Sequence, residues 1–171
     1  GIATMSGLYY FAEDILPHLD VDQYDIHICG AEGMPKDLAT RFKPWPQIKW
    51  RGFVPDIRKE ILQADIFLCP TPITLGLRTR LIEVMSLGGC IVAHTANQPG
   101  MPEMQDGVNA RLAVGGVELA ELVRVCAHDA DFRREMGNRA RQTYEEYFTP
   151  EKAGGRIASM VENAVKGKVA V

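Results

Sequence analysis

The chain has 171 residues, 46% of them hydrophobic and 24% charged, with a net charge of −3. That length suits one domain or slightly more, and the charge offers no footing for a general nucleic-acid partner, which requires a strongly basic surface. No apolar stretch approaches the roughly 18–20 residues that span a bilayer, and the first twenty residues lack the basic and apolar blocks of a secretory signal.

Strand and helix patterns alternate along the chain. Apolar residues at Leu8, Phe11, Ala12, Ile15, Leu16 and Leu19 recur at helical spacing, which predicts a helix over 8–19. A doubly wound domain normally opens on a strand, yet Gly1-Ile2-Ala3 leads into this helix almost at once, so the first strand is expected to be cut short. Y-D-I-H-I-C (24–29) alternates like a strand and stops at Gly30. A short helix is expected over 36–42 after Pro35, a strand over 48–53, and a helix over 56–62 started by Pro55. Ile66 to Cys69 is wholly apolar and reads as a central strand. A helix over 78–87 ends at Gly88-Gly89, a C-cap signal. Strands follow at 90–93 and 109–114, then helices at 117–128, 131–148 and 151–165. Pro44-Trp45-Pro46 and the run from Gln98 to Pro102 read as loops. This order argues for a doubly wound, parallel α/β sheet, Rossmann-like, with extra C-terminal helices.

None of the four cysteines forms a C-x-x-C pair or has a histidine at ligand spacing, so no metal site is expected. Cys29, Cys69 and Cys90 sit at the ends of apolar strand-like runs, as buried thiols in a reducing cytoplasm do. His27 reads as structural. His94 ends a strand at the rim shared by the other motifs and is a candidate cleft residue.

Chemistry concentrates in the run P-T-P-I-T-L-G-L-R-T-R-L-I-E (70–83). A strand stops at Pro70, a loop holding Thr71, Thr74, Gly76 and Leu77 follows, and a helix opens on Arg78, Thr79 and Arg80. Free backbone N–H groups and two guanidinium groups then meet at one strand end, where such folds bind ligands. Two arginines at a helix N-terminus oppose the macrodipole, at a cost of roughly 0.3–1 kcal/mol each. A bound diphosphate would reverse that sign. Glu83, one turn beyond Arg80, can accept hydrogen bonds from sugar hydroxyls, or pair internally with Arg80 at i, i+3. Gly30, Glu32 and Gly33 lie in a strand-to-helix turn whose amides can approach a phosphate or sugar. That turn is not the dinucleotide fingerprint G-x-G-x-x-G. Phe53 and Val54 end another strand and can wall the edge of a base, while Pro55 and Asp56 start the next helix.

Taken together these segments resemble the C-terminal, donor-binding domain of a GT-B-fold glycosyltransferase of the family-4 type. The resemblance is carried by G-L-Y-Y-F-A-E-D-I-L-P (7–17), I-C-G-A-E-G-M-P (28–35), W-R-G-F-V-P-D-I (50–57) and A-D-I-F-L-C-P (64–70). It continues through G-L-R-T-R-L-I-E-V-M-S-L-G-G-C-I-V-A (76–93), G-M-P-E-M-Q-D-G-V-N-A-R-L (100–112), R-E-M-G-N-R-A-R (134–141) and Y-F-T-P-E (147–151), and so covers nearly the whole chain. Many retaining members carry two glutamates eight positions apart. Here the second matches Glu83 while the first falls on Leu75, so the chain is similar to the branch with G-x-R-x-K/R-x-x-E.

The resemblance implies that residues 1–171 form one nucleotide-sugar donor domain whose N-terminal acceptor domain lies elsewhere. It implies a loop and helix over 71–80 that hold the diphosphate, with Arg78 and Arg80 stabilising it as it leaves. Glu83 would hold the ribose, Gly30 to Gly33 would line the cleft, and backbone near Val54 would read the base. The implied enzyme is a retaining, metal-independent hexosyltransferase that uses a UDP- or GDP-linked sugar and no cofactor. It is expected in the cytoplasm, with peripheral association at the inner face of the membrane open to the full-length protein. The fragment alone should be inactive and should self-associate through its truncated sheet edge. A nucleotide-sugar epimerase or phosphorylase of the same fold, and a non-catalytic flavodoxin-like interaction module, stay open as alternatives.

Overall fold

The structure, a computed structural model, describes residues 2–30 and 33–155. α1 (Ile2–Tyr10) runs on through one π turn, Phe11–Ile15, and one 3-10 turn, Leu16–His18. The helix therefore starts earlier than the apolar spacing predicts. Its first turn buries nothing that periodicity could register, and Ile2 is 82% exposed. The remaining elements are β1 (His27–Cys29), α2 (Lys36–Phe42), β2 (Lys49–Gly52), α3 (Ile57–Gln63) and β3 (Phe67–Cys69). They continue with α4 (Thr79–Ser86), β4 (Ile91–His94), β5 (Arg111–Ala113), α5 (Gly116–His128) and α6 (Ala130–Tyr147). A further helical stretch occupies 150–155, and the rest of the helix expected over 151–165 lies outside the described residues.

Local chemistry sets most of these boundaries. Asp56 is the N-cap of α3, accepting from the Arg58 amide at 3.1 Å, while Pro55 stands just outside the helix. Asp129 caps α6 in the same way through the Phe132 amide, at 2.8 Å. α4 ends in a Schellman motif, with the Gly88 amide bonded to the Met85 carbonyl and the Gly89 amide to that of Val84.

All strand pairs are parallel. β1 pairs with β2, and β3, β4 and β5 form a second sheet in that order. β4 is buried at every position. Its alternation sends Cys90 and Val92 to one core, with Phe11, Ile15 and Leu16 behind α1, Leu38 of α2, and Leu119 and Val123 of α5. Ile91 and Ala93 face the other core, with Ile61 of α3, Leu81, Val84 and Met85 of α4, and Ala140 of α6. Helices thus cover both faces, the doubly wound arrangement predicted from the element order. Burying each of Leu81, Val84 and Met85 contributes about 1.5–3 kcal/mol, which anchors α4 and therefore its N-terminus.

One expectation needs correction. β3 is not flanked by hydrogen-bonded strands on both sides among the described residues. β4 is the centre of the three, and Phe67 and Leu68 are only half-buried. A wholly apolar strand reports a demand for burial, not the number of its neighbours.

Candidate functional site

The loop from Pro70 to Arg78 leaves the carboxyl end of β3, beside the parallel β4. This is the rim where open α/β sheets hold ligands. Arg78 is the N-cap of α4, with φ −99° and ψ 88°, and no side chain caps the helix. The first intrahelical bonds run from the Leu81 and Ile82 amides to the Arg78 carbonyl, at 2.9 and 3.2 Å. The amides of Thr79 and Arg80 are therefore the orphan donors that every helix start leaves.

The two guanidinium groups are held by neutral partners. Arg78 Nε donates to Asn97 Oδ1 at 2.9 Å, and Arg80 Nη2 donates to Thr4 Oγ1 at 3.3 Å. Among the eleven described arginines, eight form ion pairs, and only Arg58, Arg78 and Arg80 do not. No carboxylate among the described residues thus neutralises the cationic charge at this helix start. It is felt nearby: burial pushes the Cys69 thiol up, and the charges of Arg78 and Arg80 oppose that shift.

Glu83 is half-buried on α4. The i, i+3 pair with Arg80 that the spacing allows is not made, and its carboxylate has no hydrogen-bond or ion-pair partner among the described residues. Thr74, Gly76, Leu77 and Thr79 lie exposed in the loop and first turn, with Leu77 58% exposed. Thr71 differs from them. It is buried, and its hydroxyl donates to the Ala3 carbonyl at 3.3 Å, tying the loop to α1.

A second group gathers after β1 and β2. Gly30, Phe53, Val54, Pro55 and Ile57 line an open cleft of about 370 Å³. The Gly30 amide donates to the Gly52 carbonyl at 2.7 Å, which joins the two loops, and Phe53 stands 73% exposed at the mouth. Gly30 and Gly33 take φ of +145° and +79°, conformations open to glycine and strained for other residues. Glu32, between them, lies outside the described residues.

His94 is corrected from cleft residue to structural residue. It is buried, its Nδ1 accepts from the Ala96 amide at 3.0 Å, and Tyr10 meets its ring edge-on. Burial pushes its pKa down. Cys69 and Cys90 are buried free thiols, as expected, whereas Cys29, expected to be buried, is only half-buried; Cys126 is buried as well. Among the described residues, no three or more His, Cys, Asp or Glu side chains gather to hold a metal ion. No described helix is long and apolar enough to cross a membrane.

Sequence reasoning missed three contributors: Thr4, Asn97 and Gly100. Thr4 and Asn97 reach their arginines across 76 and 19 positions, so no local pattern marks them. Gly100 lies against the loop so closely that an added Cβ would stand 2.5 Å from the Leu75 carbonyl oxygen and 2.6 Å from that of Gly76. Its place in a Pro-Gly pair suggested only a turn.

A doubly wound parallel sheet with a cationic helix start on its carboxyl rim places the chain in the class of open, doubly wound α/β folds. Within that class, the chain belongs to the family described as glycosyl transferases group 1, whose model matches residues 2–129. No curated protein sequence gives a significant match. Among solved structures, HepE of Anabaena in complex with UDP superposes with a TM-score of 0.75 at 18% identity, over 93% of this chain and 44% of that one. Sucrose-phosphate synthase of Thermosynechococcus elongatus gives 0.72 at 14% identity, over 95% and 43%. The C-terminal domain of the group 1 glycosyl transferase LpcC of Francisella tularensis gives 0.57 at 19% identity, over 67% and 62%. The chain therefore spans less than half the length of HepE and of the synthase. At these identities the structures establish the fold, the Rossmann-like half of a GT-B architecture, and the family match supports the family-4-type resemblance.

Proposed function

We propose that this polypeptide is the donor-binding part of a glycosyltransferase, and that it takes a hexose linked to a nucleoside diphosphate, UDP or GDP. The observation that carries this reading is the pair Arg78 and Arg80. Both sit at the start of α4, and neither is ion-paired with a carboxylate among the described residues. Placing two cations at the positive end of a helix is unfavourable unless an anion binds there. A diphosphate supplies that anion, together with acceptors for the Thr79 and Arg80 amides.

The roles follow from the chemistry. Arg80 and Arg78 stabilise the charge that grows on the departing diphosphate as the glycosidic bond to the donor breaks, the part a metal ion plays elsewhere. The exposed loop residues Thr74, Gly76 and Leu77 close over the phosphates, and Thr71 anchors the base of that loop. Glu83 accepts from the ribose hydroxyls. The cleft of Gly30, Phe53 and Val54 receives the base, and the turn after β1 that carries Gly33 contributes to donor binding; the same part is proposed for Glu32 from the sequence. HepE is described in complex with UDP-glucose, which supports a nucleotide sugar as ligand class. Membership in a transferase family favours this reading over a flavodoxin-like interaction module.

The acceptor side is proposed to come from polypeptide outside these 171 residues, so the chain alone should bind donor and transfer nothing. Retention of anomeric configuration and independence from metal are part of the same proposal. Titration calorimetry with UDP and with GDP on folded protein tests it. Binding in the micromolar-to-millimolar range supports the reading, and no heat from either nucleotide at millimolar concentration refutes it.

A further inference from the structure

Asn97 is 1% exposed and sits in the 3-10 segment Thr95–Gly100 that follows β4. A buried side-chain amide is costly unless both ends are satisfied. Here both are. Nδ2 donates to the carbonyl of His94 at 2.8 Å, of Thr71 at 3.3 Å and of Cys69 at 3.5 Å. Oδ1 accepts from Arg78 Nε at 2.9 Å and from Cys69 Sγ at 3.6 Å. The network fixes which end is which. Three carbonyls can only accept, so they must face the NH₂ group, and the guanidinium can only donate, so it must face the oxygen. The amide therefore staples the ends of β3 and β4 to the start of the ligand loop and presents one acceptor outward to Arg78. Three positions on, Gly100 supports the Leu75 and Gly76 carbonyls of the same loop from beneath.

We infer that Asn97 is a positioning residue for diphosphate recognition: it holds the Arg78 guanidinium preset in the unliganded protein. The inference rests on the donor-site reading above. A guanidinium has five N–H donors, and the bond to Asn97 uses only the one on Nε. The four Nη hydrogens remain for phosphate oxygens in a plane already fixed, so the rotamer entropy of a long side chain is lost before the ligand arrives. Few other residue types can do this. Aspartate would set a carboxylate against three carbonyl oxygens, and leucine would remove the side-chain bonds to those carbonyls and to the Arg78 Nε. Thr4 does not do the same for Arg80, because that contact is an exposed bond to a rotatable hydroxyl.

A double-mutant cycle on the 171-residue chain tests the inference, with calorimetry using whichever of UDP or GDP the wild type binds and with thermal melting in parallel. Asn97→Ala is expected to weaken nucleotide binding about tenfold, a coupling of about 1.4 kcal/mol. Arg78→Ala should weaken it at least as much. The double variant should bind no more weakly than Arg78→Ala, while a melting loss from Asn97→Ala persists in both backgrounds, because the bonds to the three carbonyls are lost in each. A further loss of affinity on adding Asn97→Ala to Arg78→Ala overturns the inference, as does unchanged affinity in folded Asn97→Ala. Should that variant not fold, nuclear magnetic resonance of the wild type decides. The Arg78 Nε–H signal, identified by its disappearance in Arg78→Lys, should be sharp and slow to exchange without ligand; a signal averaged with solvent overturns the proposal. Absence of binding by the wild type overturns the donor reading and this inference with it, whereas binding with additive losses removes only the role of Asn97.

Discussion

Replacing Glu83 with alanine should make the empty protein no less stable, and even slightly more stable, while it loses affinity for nucleotide. The carboxylate is half-buried and makes no hydrogen bond or ion pair among the described residues, so its removal breaks no described bond and relieves an uncompensated desolvation. Each ribose hydroxyl donating to an ionised group contributes about 1.5–3 kcal/mol net, so loss of even one such bond should make nucleoside diphosphate bind about 10- to 150-fold more weakly, and loss of two more weakly still. Free pyrophosphate, which has no ribose, should bind unchanged. Glu83→Gln keeps one acceptor oxygen without charge, and neutral hydrogen bonds of about 0.5–1.5 kcal/mol place it between the other two. Calorimetry with the nucleotide and with pyrophosphate, plus a melting curve for each variant, completes the comparison. Equal loss for both ligands would falsify the ribose role. A marked fall in melting temperature would show that the carboxylate has a structural partner instead.

Three further outcomes follow from the same geometry. Arg80→Ala removes one exposed hydrogen bond to Thr4, which should leave the melting temperature nearly unchanged, yet it should weaken nucleotide and pyrophosphate alike by about tenfold or more; a loss confined to the nucleotide contradicts its phosphate role. Gly100→Ala drives a Cβ to 2.5 Å from the Leu75 carbonyl oxygen and must displace the ligand loop, so both stability, by about 1–3 kcal/mol, and nucleotide affinity should fall; unchanged affinity would separate the loop from binding. His94 has a pKa held below its ordinary 6.5 by burial, so the unfolded chain binds its proton first. Its contribution to stability is present in full above pH 6.5 and is lost as the pH falls below that value towards the depressed one. The melting temperature should drop over this window, and His94→Asn should flatten the slope; an identical slope in the variant shows that another group titrates.

How much of this was legible in the sequence varies with the range of the signal. The cap at Asp56, the Schellman end at Gly88-Gly89 and the strand Ile91–His94 were readable because each is written in adjacent residues. The start of α1 was not, because its first turn carries no periodic apolar signal, and a π turn such as Phe11–Ile15 shifts the spacing too little to be seen. The cationic helix start, proposed here as the anion site, was visible as Arg78 and Arg80, since charges placed against a macrodipole call for an explanation. Its supports were not. Asn97 reads as an ordinary turn residue until folding brings three carbonyls and a guanidinium around it. The spacing of Arg80 and Glu83 permitted an ion pair that the fold declines, because Thr4 arrives from α1 to bond Arg80. His94 looked like a rim residue from its place at a strand end, but the Tyr10 ring covers it.

The central claim is that the start of α4 is an anion cradle with a pentose-binding carboxylate behind it. A crystal structure of the chain soaked with UDP or GDP addresses this most directly. The account predicts both phosphates within hydrogen-bonding distance of Arg78, Arg80 and the Thr79 and Arg80 amides, the ribose hydroxyls on Glu83, and the base beside Phe53 and Val54. A nucleotide bound elsewhere, or one whose phosphates leave both guanidinium groups on Asn97 and Thr4 without contact, would contradict it.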